Sequence, residues 1–433
     1  MHDLTQELVA FLKESPTAFH AAAAAVRRLE EKGFVRLLES ARWSIVPGGK
    51  YYVVRNDSSV IAFAVGADPG CDGFALAASH SDSPSFKLKE KPMLESNGYL
   101  RLNVEKYGGP IYAPWLDRPL TVGGRLTVRT AKGVESRLAY VDRDLMLIPN
   151  VCIHLNKEIN KGFKYNEQVD LLPLCGDGAK PETFWAAVAE SAGVAPADIL
   201  ASELLLCCRT PAMVWDEGRL VSAPRLDDLQ CAFGTLAGFL EAEPKAVSVW
   251  CCFDNEEVGS RTKQGAASNF FGDTLARISA ALGRTPEDHL RALASSFMLS
   301  ADNAHAVHPA HPEMTDAENR VRMNQGVVVK VNAAQSYATD GTASAVLRLL
   351  GERTGTPVQS FANRSDLQGG GTLGNIATTH VSIRMADIGL AQLSMHSCYE
   401  TAGTKDTGYL ADISKALFSS RLRETGAGAL EIE

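Results

Sequence analysis

The feature that most constrains this chain is an apolar run, residues 246–253, that is followed at once by three acidic side chains. The run has the composition of a buried strand, and Asp254, Glu256 and Glu257 come where that strand is predicted to end. Carboxylates in such a place are costly to desolvate unless they are paired or bound to a metal ion. Taken alone, two adjacent glutamates are more typical of a solvated loop, so the metal interpretation depends on partners elsewhere.

Composition narrows the class of protein. The 433 residues are enough for two or three domains, and 45% hydrophobic with 22% charged residues is typical of a globular chain. A net charge of -8 and the lack of a basic run predict that nucleic acid is not a partner. No apolar stretch approaches the roughly 20 residues of a membrane span, so no membrane partner is expected.

The first residues and the cysteines indicate a compartment. Residues 1–7 are acidic where a signal peptide begins with positive charge, so no signal peptide is expected. The nine cysteines are an odd number and include no C-x-x-C motif. Together these observations predict a reduced, cytoplasmic protein that uses cysteine as a small core residue.

Hydrophobic periodicity predicts an α/β fold. Helices are predicted at 4–14 and 16–32, and strands at 51–54, 60–65 and 73–79. Between 92 and 206 short β-branched runs alternate with Gly/Pro turns, which suggests a β-rich insertion. After Pro224 helices and strands alternate, which predicts a mainly parallel sheet covered on both faces. The later helices are predicted at 226–241, 274–282, 342–354 and 406–422, and the later strands at 296–301, 326–331, 358–362 and 380–388.

Some common enzyme classes have little support. The chain has no G-x-S-x-G, no Walker loop and no H-E-x-x-H. Residues 369–374 satisfy G-x-G-x-x-G, but a polar loop at 363–368 precedes them and no helix is predicted after them. A dinucleotide site needs a strand before and a helix after the glycines, so this motif is interpreted as a flexible loop.

A histidine and an aspartate two residues apart follow the predicted strand at 73–79. At strand periodicity His80 and Asp82 point to the same side, which suits a metal-binding histidine oriented by a carboxylate. A polar strand end is the simpler interpretation of H-x-D alone. The same duality applies to Asp227, which either caps a helix or bridges two metal ions.

Two further segments carry candidate residues. Asp302 follows the predicted strand at 296–301, and His305, His308 and His311 come soon after it. Prolines at 309 and 312 break any helix that would align these histidines, so the trio is interpreted as loop structure, with His305 kept as a candidate for substrate contact. His396 is flanked by small residues and is either a core histidine or a metal ligand.

These fragments converge if the sheet is parallel. The carboxyl ends of parallel strands meet at one edge, where ligands bind. Two histidines and three carboxylates suffice for a pair of divalent ions if one aspartate bridges them, as in two-metal hydrolases. The residues that would meet there are His80, Asp227, Glu257, Asp302 and His396.

The motifs in this order resemble those of the M18 aspartyl aminopeptidases, a family of co-catalytic zinc peptidases. They are H-S-D at 80–82, R-L-D-D-L at 225–229, D-N-E-E-V-G-S at 254–260, S-A-D-N-A-H-A-V-H-P at 300–309 and M-H-S at 395–397. The resemblance spans nearly the whole chain. It implies a three-layer α/β/α catalytic domain formed by residues 1–91 and 225–433, with an inserted β-rich oligomerisation domain at 92–224.

The resemblance also implies a role for each site residue. His80 and Asp302 would bind one Zn²⁺ ion, and Asp227 would bridge it to a second ion held by Glu257 and His396. Mn²⁺ or Co²⁺ can substitute for zinc in such sites. Asp82 would orient His80, and Glu256 would be the general base that activates water.

Substrate and assembly are implied in the same way. Lys330 lies in the apolar segment 327–332, where a solvated lysine is unexpected, and by resemblance it would pair with the acidic first side chain of a peptide. His305 and Tyr337 would lie nearby. His154 matches a family histidine that reaches a neighbouring subunit's active site, within a tetrahedral dodecamer. The expected partners are therefore peptides with a free acidic N-terminus and further copies of this chain.

Three alternatives stay open. One is a di-zinc peptidase of neutral specificity, and another is a deacylase or carboxypeptidase on the same sheet. The third is a catalytically silent assembly protein that only binds peptides. The presence of Glu256 argues against the last, because a binding module has no use for a general base.

Overall fold

The computed structural model describes residues 3–367 and 369–433. Its largest unit is a nine-stranded sheet, and the four strands at its centre run parallel to one another. In spatial order the strands are Val35–Arg36, Lys50–Arg55, Ser59–Val65, Val247–Phe253, Phe74–His80, Phe297–Ala301, Arg384–Gly389, Val327–Lys330 and Val358–Phe361. The predictions concerning residues 1–7 include Met1 and His2, which lie outside the described residues.

This sheet is covered by helices on both faces. Along Val247–Phe253 every residue is buried, with Trp250 packing into one apolar core and Val249 into the other. One face is covered by the helices Ala18–Glu31, Leu226–Leu240, Gly341–Thr354 and Thr404–Phe418, and the other by Phe270–Ala281, Pro286–Ala294 and Leu373–Ala377. The three-layer α/β/α architecture is therefore confirmed, and a strand buried on both faces explains the continuous apolar run.

A six-stranded antiparallel sheet lies beside it. Its strands, in spatial order, are Gly133–Tyr140, Leu120–Thr130, Ile199–Cys208, Ser85–Ser96, Tyr99–Tyr107 and Leu174–Asp177. The helix Pro181–Ser191 packs on it, and the two share a separate apolar core that includes Phe86, Leu126 and Val188. The assignment of residues 92–224 to an inserted domain stays a prediction.

A smaller sheet joins segments that are distant in the chain. Its five strands are Met213–Trp215, Leu220–Ala223, Glu400–Gly403, Ala391–Leu393 and Ala304–His305, in that spatial order. A separate hairpin, Leu422–Gly426 with Ala429–Ile432, ends the chain. The first helix, Thr5–Glu14, packs its apolar side against the helix Leu226–Leu240 through Phe11 and Phe233.

Some predicted boundaries were wrong. The last long helix is Thr404–Phe418 and not 406–422, because Leu422 begins the hairpin. The strand predicted at 380–388 begins at Arg384 and ends at Gly389. A five-residue helix, Leu373–Ala377, does follow the glycine motif, whereas residues 363–367 before it form a loop and Gln368 lies outside the described residues. Among the described residues no helix has the length and apolar character needed to cross a membrane.

Candidate active site

The carboxyl ends of the central strands carry the predicted site residues. His80 is the last residue of Phe74–His80, and Asp302 directly follows Phe297–Ala301. Glu256 and Glu257 begin a short 3-10 turn, Glu256–Val258, just beyond Val247–Phe253. Because these three strands are neighbours and parallel, the four side chains meet at one edge of the sheet.

The smaller sheet supplies the remaining two residues. Asp227 follows the strand Leu220–Ala223, and His396 lies in the loop between Ala391–Leu393 and Glu400–Gly403. Asp227 and Asp228 have non-helical backbone angles at the start of the helix Leu226–Leu240 and are joined by a cis peptide bond. The site thus combines residues from two sheets.

Asp227 lies between two histidines. Its Oδ1 is 3.5 Å from His80 Nε2, and its Oδ2 is 3.6 Å from His396 Nε2. On the His80 side, Asp302 Oδ1 lies 3.8 Å from the same Nε2. On the His396 side, Glu257 Oε2 lies 3.5 Å from the imidazole. The carboxylate of Asp227 is therefore shared by two adjoining groups of side chains, one around His80 and the other around His396.

The chemistry of these atoms fits divalent metal ions. Asp227 is buried, and its Oδ1 accepts no hydrogen bond from any described residue. Burial, reinforced by Asp227, raises the pKa of Glu257 well above its ordinary value, and burial also raises that of Asp228. Such crowding of carboxylates requires positive charge, and imidazole nitrogen with carboxylate oxygen is a ligand set that zinc takes.

Asp82 contacts both His80 and the turn that carries Glu256 and Glu257. Its backbone oxygen lies 3.0 Å from His80 Nδ1, which leaves Nε2 facing the other carboxylates. Its carboxylate accepts hydrogen bonds from the backbone N–H of Glu256 and Glu257, at 3.1 and 3.2 Å, and from the hydroxyl of Tyr107 at 2.7 Å. Asp82 therefore fixes the imidazole ring and the Glu-Glu turn at once.

Glu400 fixes the backbone of Asp227 and His396 in a similar way, a role that was not predicted from the sequence. This fully buried carboxylate accepts the backbone N–H of Asp227 at 3.0 Å and of His396 at 2.8 Å. Asp228 was also missed, and it accepts the backbone N–H of His80 at 3.0 Å. The available signal was an acidic residue inside an otherwise small and apolar segment, here 398–403 for Glu400.

Glu256 differs from its neighbour in its surroundings. Both glutamates are partly buried as whole residues, but Glu257 faces His396, whereas Glu256 pairs with neither histidine. Burial, with the charges of Asp302, Asp82 and Asp227, raises the pKa of Glu256 to about 7. A carboxylate with such a pKa accepts and returns protons readily near neutrality.

Lys330 reaches the site from an antiparallel strand. The strand Val327–Lys330 runs opposite to Arg384–Gly389, and the lysine crosses Gly389, where any side chain would come within 3.1 Å of its Cε. Burial acts to lower the pKa of Lys330, but Asp302, Tyr337 and Asp387 together outweigh it and hold the pKa above its ordinary value. The ammonium group lies 5.7 Å from the ring centroid of Tyr337.

The remaining predicted residues occupy different places. The ring of His305 lies 6.1 Å from that of Phe361, which in turn contacts Tyr337, so His305 belongs to the same wall as Lys330. His308 and His311 lie 5.4 Å apart in an exposed loop. His154 is exposed, and within residues 3–367 and 369–433 it has no hydrogen bond or ion pair with the site.

An α/β/α fold whose sheet edge carries two adjoining His–carboxylate groups defines a metal-dependent hydrolase. A family model described as aminopeptidase I zinc metalloprotease (M18) matches residues 11–418. The chain belongs to this family and is a metallo-aminopeptidase.

Curated relatives agree over almost the full length. The chain is 41% identical to a probable M18 family aminopeptidase 2 of Clostridium novyi over 95% of this chain and 98% of the relative. It is 39% identical to a protein of the same name from Pseudomonas entomophila, covering 96% and 98%.

Solved structures agree as well. Ape4, solved in complex with Nbr1, superposes with a TM-score of 0.92 at 32% identity, covering 96% of this chain and 85% of that chain. The S. cerevisiae mApe1 dodecamer gives a TM-score of 0.84 at 27% identity, with 95% of each chain covered.

Proposed function

We propose that this M18 aminopeptidase uses two zinc ions to release N-terminal Asp and Glu residues from peptides. The observation that carries the proposal is Asp227, whose two oxygens face two different histidines. His80 and Asp302 would hold one ion, Glu257 and His396 the other, and Asp227 both. Manganese or cobalt would be accepted by the same ligands.

Bound zinc would supply Lewis acidity, polarising the scissile carbonyl and making water more acidic. The protein's own residues do the rest. Glu256 accepts a proton from the attacking water and returns it to the departing amine, a role that fits its carboxylate lying within 4.8 Å of the facing atoms of His80 and Glu257. Asp82 keeps His80 oriented and holds the backbone of Glu256 in place.

The acidic preference is assigned to Lys330. It is a buried cation at the site edge, and a substrate carboxylate that displaced part of its pairing with Asp302 would gain a charge-assisted hydrogen bond in a desolvated place. Tyr337 and His305 line the same wall. A substrate with a neutral first side chain would give Lys330 no additional hydrogen bond, so the lysine would stay paired with Asp302 alone.

The chain is also proposed to assemble into a homo-oligomer, with a tetrahedral dodecamer as the expected form. The segment around His154 supports this, since Val151, Ile153 and Leu155 are 48%, 53% and 81% exposed. Exposed apolar side chains in a row are typical of an interaction surface. His154 would then reach a neighbouring subunit's site, and residues 92–224 would form the assembly domain. A reducing, cytoplasmic location is consistent with nine unpaired cysteines.

One assay tests the central proposal. Cleavage of Asp-, Glu- and Leu-p-nitroanilide is measured with zinc, after chelation, and after zinc is restored. We expect the acidic substrates to be preferred, activity to be lost on chelation, and zinc, manganese or cobalt to restore it. Activity that survives chelation would contradict the metal mechanism, whereas a preference for Leu would contradict only the role of Lys330.

A further inference from the structure

A buried glutamine beside the site has neither of its polar atoms satisfied. Gln392 is 1% exposed, and both Oε1 and Nε2 lack a hydrogen-bond partner among the described residues. A buried carboxamide left in this state is costly, and a ligand that reaches it would remove that cost. The contrast with Gln230 is direct. That residue is equally buried, but it donates to Gly403 and Thr407 and accepts from Asn303.

Gln392 lines a cavity of about 330 Å³ that extends to Met395, the residue before His396. The cavity shares His305 with the proposed acid-binding wall and shares Met395 with the loop that carries His396. In the smaller sheet His305 and Gln392 are direct partners, so their side chains are on the same side. The lining includes neither Lys330 nor Tyr337, so the cavity adjoins the place assigned to the first side chain but does not contain it.

The two unpaired polar atoms of the Gln392 carboxamide indicate the chemistry of a ligand for this cavity. A neutral carboxamide that offers one donor group and one acceptor matches another amide, which offers the same pair in reverse. It does not match a carboxylate, which would leave Oε1 unpaired. The space is enough for an amino-acid residue.

We propose that Gln392 binds the peptide bond that follows the scissile one, between the second and third residues of the substrate. This inference rests on the proposed function, since it assumes that the first residue lies against Lys330 and the scissile bond at the metal ions. Gln392 is then a determinant of substrate length: it favours peptides of three or more residues over dipeptides and aminoacyl anilides.

The test compares three substrates that share a first residue, in one series beginning with Asp and another with Leu. They are a dipeptide, a tripeptide, and a tripeptide whose second peptide bond is replaced by an ester. With the zinc-loaded enzyme we expect kcat/KM to be about 10-fold higher for the tripeptide than for the ester or the dipeptide. This arm needs no variant, so it stands even if a substitution at 392 prevents folding.

The variant arm uses Gln392→Met, which has a similar volume and cannot pair with an amide. Its kcat/KM is expected to be the same within about two-fold for all three substrates, because the contact that favours the tripeptide is lost. Gln230→Met is the matched control. It removes satisfied hydrogen bonds, so it should lower thermal stability while the preference for the tripeptide is kept.

Three results would overturn the inference. The ester could be cleaved as fast as the tripeptide by the wild-type enzyme. The preference could persist in Gln392→Met. The variant could instead change the Asp/Leu ratio without any effect of length, which would place the first side chain in this cavity. If the wild-type enzyme with zinc cleaved none of the substrates, the proposed function itself would fail.

Discussion

Lys330 and Asp302 form an ion pair at the edge of the sheet, with Nζ 3.4 Å from Oδ2. The other oxygen of Asp302 faces His80 at 3.8 Å. Burial acts to raise the pKa of Asp302, but Lys330 and His80 outweigh it and keep the pKa below its ordinary value. The same lysine thus keeps the carboxylate of Asp302 charged, and under the proposed function it would also pair with an acidic substrate, which would link substrate choice to the metal site.

Replacing Lys330 by Met should therefore lower the Asp/Leu ratio of kcat/KM by at least about 10-fold, because the substrate carboxylate loses its buried partner. Steady-state kinetics with both substrates measures the ratio, and bound zinc is quantified in the same samples. Lys415→Met, at an exposed position of the helix Thr404–Phe418, is the control. An unchanged ratio would remove Lys330 as the selector.

Substitutions of the two adjacent glutamates, Glu256 and Glu257, should have different effects on zinc binding. Glu256→Gln keeps the size of the side chain but not its basicity, so kcat should fall by about 10²–10⁴ with zinc content unchanged. Glu257→Gln should lose zinc as well as activity, because its carboxylate faces His396. Metal analysis beside kinetics separates the two. Equal zinc loss in both variants would show that the roles are not divided.

Glu400 should act on the metal site through the backbone. Glu400→Gln removes one of the two acceptor oxygens that hold Asp227 and His396, so zinc affinity should fall by about 10- to 100-fold. Competition with a chelating dye measures this affinity. Glu352→Gln, at an exposed position, should leave it unchanged. A normal affinity in Glu400→Gln would mean that the loop holds its shape without this contact.

Metal removal should destabilise the protein. Burial, together with repulsion from neighbouring carboxylates, raises the pKa values of Glu257 and Asp228, and bound cations would relieve this cost. Zinc at 100 times its dissociation constant should add about 2.7 kcal/mol to the free energy of unfolding, seen as a higher Tm in calorimetry. Calcium at the same ionic strength is the control, since it prefers larger all-oxygen sites. Equal Tm values with and without zinc would contradict this expectation.

His20 should make the fold sensitive to acid. Burial, helped by Arg225 and Arg27, lowers the pKa of its imidazole to about 4. The unfolded chain therefore binds the proton first, so this contribution to stability is complete above about pH 6.5 and is lost as the pH falls towards 4. The loss amounts to about 3 kcal/mol.

His20→Gln should reduce this loss between pH 6.5 and 4, as followed by denaturant unfolding at several pH values. The variant His380→Gln, at an exposed position, is the control. If His20→Gln and the wild type lost the same free energy over this range, other groups would account for the acid sensitivity.

The identity of most site residues could be predicted from the sequence. His80, Asp302 and the glutamate pair directly follow buried strands, and an apolar run that ends in acids is visible without coordinates. The supporting residues were harder to find. Glu400 and Asp228 act by accepting backbone N–H groups from segments up to 173 residues away, and no local pattern marks such a contact. Tyr107, the last residue of a strand in the six-stranded sheet, donates a hydrogen bond to Asp82, and no local pattern marks this contact either.

Apolar periodicity and strand ends are local properties of the chain, so the α/β/α class and the chemical types gathered at the sheet edge could be predicted from the residues alone. How those groups face one another depends on contacts between distant segments. The antiparallel course of Val327–Lys330 brings Lys330 to Asp302, and the small sheet pairs Gln392 with His305 while its carboxamide has no hydrogen-bond partner among the described residues. Both depend on pairing between distant strands, which is set by packing over the whole domain.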